Sequence, residues 1–91
     1  MMDPFLELKY GKIVDIDVHG KSIEDARAEV LYLLGSIDYG ISGILVVHGF
    51  HKGTKIKEWL RHKFIDPRVI KIINYDAGST LLLLAEDLAK L

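Results

Sequence analysis

Ninety-one residues with a mass of 10.3 kDa make one domain, because a single core of this size leaves no chain for a second. Apolar residues are 49% and charged residues 27%, ordinary globular proportions that exclude a disordered acidic tail, a collagen-like chain and a mucin-like stalk. With no cysteine, neither disulfides nor a thiolate metal site supplement the core, and a net charge of -1 gives no overall pull toward nucleic acid or membrane.

Taken in chain order, Met1-Met2-Asp3-Pro4-Phe5 lacks the basic start and apolar run of a signal peptide, and residues 1–12 read as an N-terminal extension. Ile13 to Val18 alternates apolar and acidic residues, which predicts a strand with one wet face. Ser22-Ile23-Glu24-Asp25 resembles a capping box, and Ile23, Ala26, Val30, Leu34 and Ile37 continue as the apolar stripe of a helix. After Gly40 and Gly43, Ile44 to Val47 is a continuous apolar run, as expected of a strand buried on both faces.

Thr54 opens a second helix with Ile56, Trp59, Leu60 and Phe64 as its buried stripe. Asp66-Pro67 stops it, since proline disfavours helix in its predecessor and donates no backbone bond. Arg68 to Tyr75 reads as a third strand, Asp76-Ala77-Gly78 as a turn and Ser79 to Ala85 as a fourth strand. The leucine run from Leu81 to Leu84 is far shorter than the roughly 18–20 apolar residues of a membrane span, so no membrane and a cytoplasmic home are expected. The fold class is α/β: a two-layer sandwich of order β-α-β-α-β-β, a four-stranded mixed sheet with two helices on one face, over residues 13–91.

Charge is unevenly placed. Met1 to Leu45 carries eight acidic and four basic residues, a net -4; Val46 to Leu91 carries five acidic and eight basic, a net +3. Lys52, Lys55, Lys57, Arg61 and Lys63 cluster with only Glu58 opposing them, either as a solvated helix face or as a track for a polyanion.

Two strands end alike, Asp17-Val18-His19-Gly20 and Val46-Val47-His48-Gly49, and ligands of open α/β sheets bind outside the carboxyl ends of parallel strands. Asp17, His19 and His48 are therefore candidate catalytic groups, with Asp17 orienting an imidazole, and Gly20 and Gly49 leave room for a ligand's backbone. The alternative for each is structural: a packed or capping histidine, a wet-face aspartate. The loop Gly49-Phe50-His51-Lys52-Gly53-Thr54 suits a phosphate cradle ahead of a helix, with Phe50 placed to stack on a base or to pack locally. It is not a Walker A loop, and no serine stands in a nucleophile elbow. A zinc site from Asp17, His19, His48 and His51 has a weak spacing signal, and no metal ligand is assigned.

These residues resemble the Smr (small MutS-related) domain family, which is marked by an Asp-Leu-His-Gly segment and, some thirty residues on, His-Gly running into Lys-Gly-Thr. The likeness covers about Ile13 to Leu84. It implies binding to DNA or RNA and, in several members, endonuclease activity; some members bind without cutting. It carries over Asp17 and His19 as catalytic candidates, and His48, Gly49, Gly53 and Thr54 as the nucleic-acid-facing loop. Two departures stand out: Phe50 and His51 intervene before Lys52-Gly53-Thr54, and Lys55 stands where a glycine often follows.

The expected chemistry has His19, its tautomer fixed by Asp17, as general base or acid, with His48 protonating the leaving oxygen or holding the phosphate. Lys52 and the N–H groups around Gly53 and Thr54 stabilise phosphate charge, while Lys55, Lys57, Arg61 and Lys63 steer the backbone. RNA supplies its own 2′-hydroxyl, whereas DNA requires an activated water, usually supplied by a divalent cation. The other readings are a non-catalytic nucleic-acid-binding module and a protein-interaction module. Oligomeric state is left open.

Overall fold

The structure, a computed structural model, describes residues 4–38, 40–49 and 54–85. The elements are α1 (Pro4–Tyr10), β1 (Ile13–Asp17), α2 (Ile23–Ser36), β2 (Gly43–Val47), α3 (Lys55–Glu58) running straight into a π-helical segment (Trp59–Lys63), β3 (Val69–Asp76) and β4 (Ser79–Leu84). From β1 onward this is the order that the periodicity predicts. The strands form one mixed sheet, β1-β2-β4-β3, in which β1 and β2 are parallel and the other neighbours antiparallel.

The last strand returns to the centre of the sheet and leaves β3 at the edge. Composition explains the choice. Ser79, Thr80, Leu81 and Leu82 of β4 are all buried, whereas β3 exposes Ile70, Lys71, Asn74 and Asp76. β2 is buried from Gly43 to Val46, and β1 exposes Asp15 and Asp17 on its wet face.

One face of the sheet presents Val18, Ile44, Val46 and Leu82 to Ala26, Val30 and Leu34 of α2 and to Ile56, Leu60 and Phe64. The α2 start is capped as the sequence predicts, Ser22 Oγ accepting from the Asp25 N–H at 3.1 Å. Thr54 differs. Its side chain makes no cap bond, and its hydroxyl donates to the Glu58 carboxylate at 3.4 Å.

An apolar stripe does not foretell the π turn. The Phe64 N–H bonds to the Trp59 carbonyl, five residues back, at 2.7 Å, and the same spacing sets the two rings edge to face with centroids 5.1 Å apart. The chain then turns at Asp66, whose carboxylate accepts from Arg68 Nε at 2.8 Å, Arg68 Nη2 at 2.6 Å and the Arg68 backbone N–H at 2.8 Å.

The opposite face of the sheet is also covered. Leu45 and Leu81 point away from α2 and need an apolar lid, which Leu6 of α1 supplies together with Ile13. The stretch read from sequence as an extension thus holds a short helix with one buried side chain. Among the described residues no helix is long and apolar enough to cross a membrane.

Candidate functional site

Register decides what the two His-Gly strand ends become. Asp17 pairs with Val47, and the Val18 N–H continues the ladder to the Val47 carbonyl at 2.9 Å. One step further, Val18 lies level with His48 and His19 level with Gly49. The two motifs share one edge of the sheet but are offset by a residue, and an offset of one exchanges the faces of a strand. Val18 and His48 are accordingly buried, at 0% and 3% exposure. The His19 side chain keeps 69% of its surface. Sequence similarity between the motifs predicts two equivalent histidines, but the structure gives them different surroundings and different partners.

The glycines are equivalent. Gly20 and Gly49 both adopt left-handed backbone, with φ of +76° and +79°, a conformation that a side chain resists. A Cβ placed on Gly20 would meet nothing within 4 Å, so conformation rather than space requires glycine there. On Gly49 it would stand 3.4 Å from the His19 Cβ, which makes Gly49 the wall beside His19.

His19 and Asp17 form a pair in the open. Asp17 Oδ1 accepts from His19 Nδ1 at 2.5 Å and from the His19 backbone N–H at 3.0 Å. These two bonds, side chain first, hold the Asp17 carboxyl below its ordinary range, with Lys21 adding a smaller electrostatic contribution. A carboxylate that accepts at Nδ1 fixes the proton on that nitrogen. Nε2 has no hydrogen-bond partner among the described residues and faces outward as a free acceptor.

His48 sits in a closed network. Its Nδ1 is 2.8 Å from the Gly49 carbonyl, which only accepts, so Nδ1 carries a proton. Its Nε2 is 2.9 Å from Thr80 Oγ1, and Arg61 Nε donates to the same oxygen at 2.9 Å. In the neutral ring, which burial favours, Nε2 is then the acceptor and takes the Thr80 hydrogen, while Thr80 Oγ1 accepts from Arg61; His48 is the Nδ1–H tautomer. Burial, the largest influence, pushes its pKa below the ordinary histidine value, as do the positive charges of Arg61 and Lys57. The Gly49 carbonyl and Asp76 act the other way.

Arg61 is tied to the turn between β3 and β4. Its Nη2 donates to the Asp76 carbonyl at 2.7 Å and the Ser79 carbonyl at 3.0 Å. The Gly78 carbonyl of that turn accepts from the His48 and Gly49 N–H groups at 2.9 and 3.0 Å, so the turn holds the end of β2 directly.

Beside the strand ends lies an open groove of about 480 Å³ between the β1–α2 connection and the start of α3. Gly20, Lys21, Ser22 and Glu24 line one side, Lys55 and Ile56 the other, and His48 also contributes. Gly20, His48 and Lys55 are residues that the sequence places at the site. Lys21 and Ser22 are additions, although their place directly after the first His-Gly is a usable signal. Lys21 also pairs with Glu29 at 3.3 Å. Thr54 is exposed at the head of α3. Phe50, Lys52 and Gly53, like His51, lie outside the described residues. Among the described residues no group of three or more His, Asp or Glu side chains is arranged to hold a metal ion.

No protein-family model and no curated protein sequence matches the chain. Among solved structures it is similar to the Smr domain of MutS2 from Thermus thermophilus, with 26% identity and a TM-score of 0.62, over 78% of this chain and 96% of that one. The chain has an Smr-like fold.

Proposed function

We propose that this Smr-like domain binds nucleic acid along the edge where β1 and β2 end, and that His19, oriented by Asp17, is the acid–base group for cleaving a phosphodiester there. The observation that carries this reading is the exposed Asp17–His19 pair, with its Nδ1–Oδ1 bond of 2.5 Å, at the carboxyl end of a parallel strand. Lys21 and Lys55 on the adjoining groove supply positive charge for a phosphate backbone.

The chemistry fits RNA. His19 Nε2 takes the proton of a 2′-hydroxyl as its oxygen bonds to phosphorus and the bond from phosphorus to the 5′ oxygen breaks. The departing 5′ oxygen takes a proton from solvent. Positioned proton transfer of this kind contributes about 10²–10⁴-fold. On DNA the same pair would need an activated water, and a divalent cation would supply it. His48 takes no part in proton transfer in this scheme, since both of its ring nitrogens already have partners.

The burial of His48 favours a second reading, binding without cleavage, because of the two strand-end histidines His19 alone is exposed. Incubation with labelled single-stranded and duplex RNA and DNA, with and without EDTA, separates the two. Cleavage of RNA that survives EDTA and disappears in His19→Ala supports the catalytic reading. Salt-sensitive retention of every substrate intact supports binding alone. Cleavage undiminished in His19→Ala removes the catalytic assignment.

A further inference from the structure

The polar network behind the exposed edge is built to a purpose that ordinary packing does not need. Thr80 is fully buried at the centre of the sheet, and its hydroxyl is the meeting point of an arginine and a histidine from two other elements. Polar groups in a core of this size are costly unless satisfied, and here each member has a partner with good geometry. The series starts at the β3–β4 turn, gripped by Arg61, and runs through Thr80 and His48. It ends on the carbonyl of Gly49, the residue that walls His19.

We propose that Arg61 and Thr80 are positioning residues: by fixing His48 as the neutral Nδ1–H tautomer, they pin the left-handed Gly49 peptide and so preset the edge at which His19 meets its ligand. This rests on the reading of that edge as the nucleic-acid site. Each link comes from what its atoms can do. The Gly49 carbonyl only accepts, so Nδ1 carries the ring proton and the neutral ring accepts at Nε2 from the Thr80 hydroxyl, whose oxygen is held by Arg61 Nε. Arg61 therefore serves the site from behind, through bonds to Asp76, Ser79 and Thr80, instead of through phosphate.

Thr80→Val tests the proposal, since valine keeps the shape and removes the hydroxyl, and a residue with no exposed surface cannot touch a polynucleotide. Amide hydrogen exchange by NMR needs no ligand. The His48 and Gly49 amides should exchange about tenfold faster in Thr80→Val, while the Val30 amide in α2 stays within twofold of wild type. Thr80→Ser, which restores the hydroxyl, should return the first two to near their wild-type rates. Equal acceleration at all three positions would reduce the network to general stability and overturn the proposal, as would no acceleration at any.

Affinity for a labelled single-stranded RNA, measured on the same proteins, should fall about tenfold in Thr80→Val and recover in Thr80→Ser. Unchanged affinity alongside local release of Gly49 would overturn the positioning role. Absence of binding in wild type would overturn the nucleic-acid reading, with the exchange data still deciding whether the network pins Gly49.

Discussion

Gly49, and not His48, is the residue that stands beside His19 across the two parallel strands. This one-residue offset separates the two histidines into an exposed imidazole paired with Asp17 and a buried network member, and their substitutions should separate in the same way. His19→Ala loses one hydrogen bond in the open and should change stability by no more than about 0.5 kcal/mol. His48→Ala strands the Thr80 hydroxyl hydrogen and the Gly49 carbonyl beside a cavity, with Arg61 still bound to Thr80, and should cost about 2–4 kcal/mol. Urea unfolding followed by circular dichroism measures both, and equal losses would contradict the assignment.

Protonation of His48 should be visible in stability. Its pKa in the folded chain is depressed, chiefly by burial, below the ordinary histidine value of about 6.5. The unfolded chain therefore binds this proton at higher pH than the folded one. The contribution is complete above about pH 6.5 and is lost as pH falls from there toward the folded pKa. Urea midpoints taken between about pH 5 and 8 should decline on the acid side. His48→Phe, weaker throughout, should flatten that part of the profile.

Salt dependence distinguishes residues that meet phosphate from those that act behind it. Lys21→Ala and Lys55→Ala should each reduce the slope of log affinity against log salt by about 0.7–0.9, the value of one phosphate contact. Arg61→Lys should weaken binding without changing the slope, because the guanidinium is committed to the β3–β4 turn. A slope that drops by a full contact in Arg61→Lys would move Arg61 to the ligand.

The α1 helix should matter more than its length suggests. Leu6 is 3% exposed and lies among Ile13, Leu45 and Leu81 on the face away from α2. Leu6→Ala should cost about 2–4 kcal/mol in thermal or urea unfolding, whereas Leu8→Ala, at an exposed position, should be close to neutral.

Local patterning controls the part of this fold that is legible in the sequence. The alternation in Ile13–Val18, the stripe of Ala26, Val30 and Leu34 and the unbroken run of Ile44–Val47 each predict the right element with the right buried face. Ser22 predicts the cap. The pairing of strands is a non-local property, so β4 at the centre and the offset of His19 from His48 are hidden. Two motifs that read alike along the chain meet at different levels across the sheet. Leu6 escapes notice because a single buried residue in a seven-residue helix makes no period. Thr80 is hidden for the opposite reason: within an apolar strand, a lone threonine signals nothing until its partners from Arg61 and His48 arrive.

The π turn at Trp59–Lys63 fixes something about this chain that composition does not register. A π turn is an α turn holding one residue more, and removing any one residue from it would tighten the helix and rotate the chain beyond it by about 100°. A deletion at His62, for example, would keep the aromatic and basic character of the segment and improve its local hydrogen bonding. It would also break the phasing that lets Arg61 reach the β3–β4 turn while Leu60 and Phe64 stay in the core. The segment is thus constrained in length more tightly than in residue type. A relative shorter by one residue here must hold its counterpart of Thr80 by some other donor, or leave that hydroxyl without its arginine.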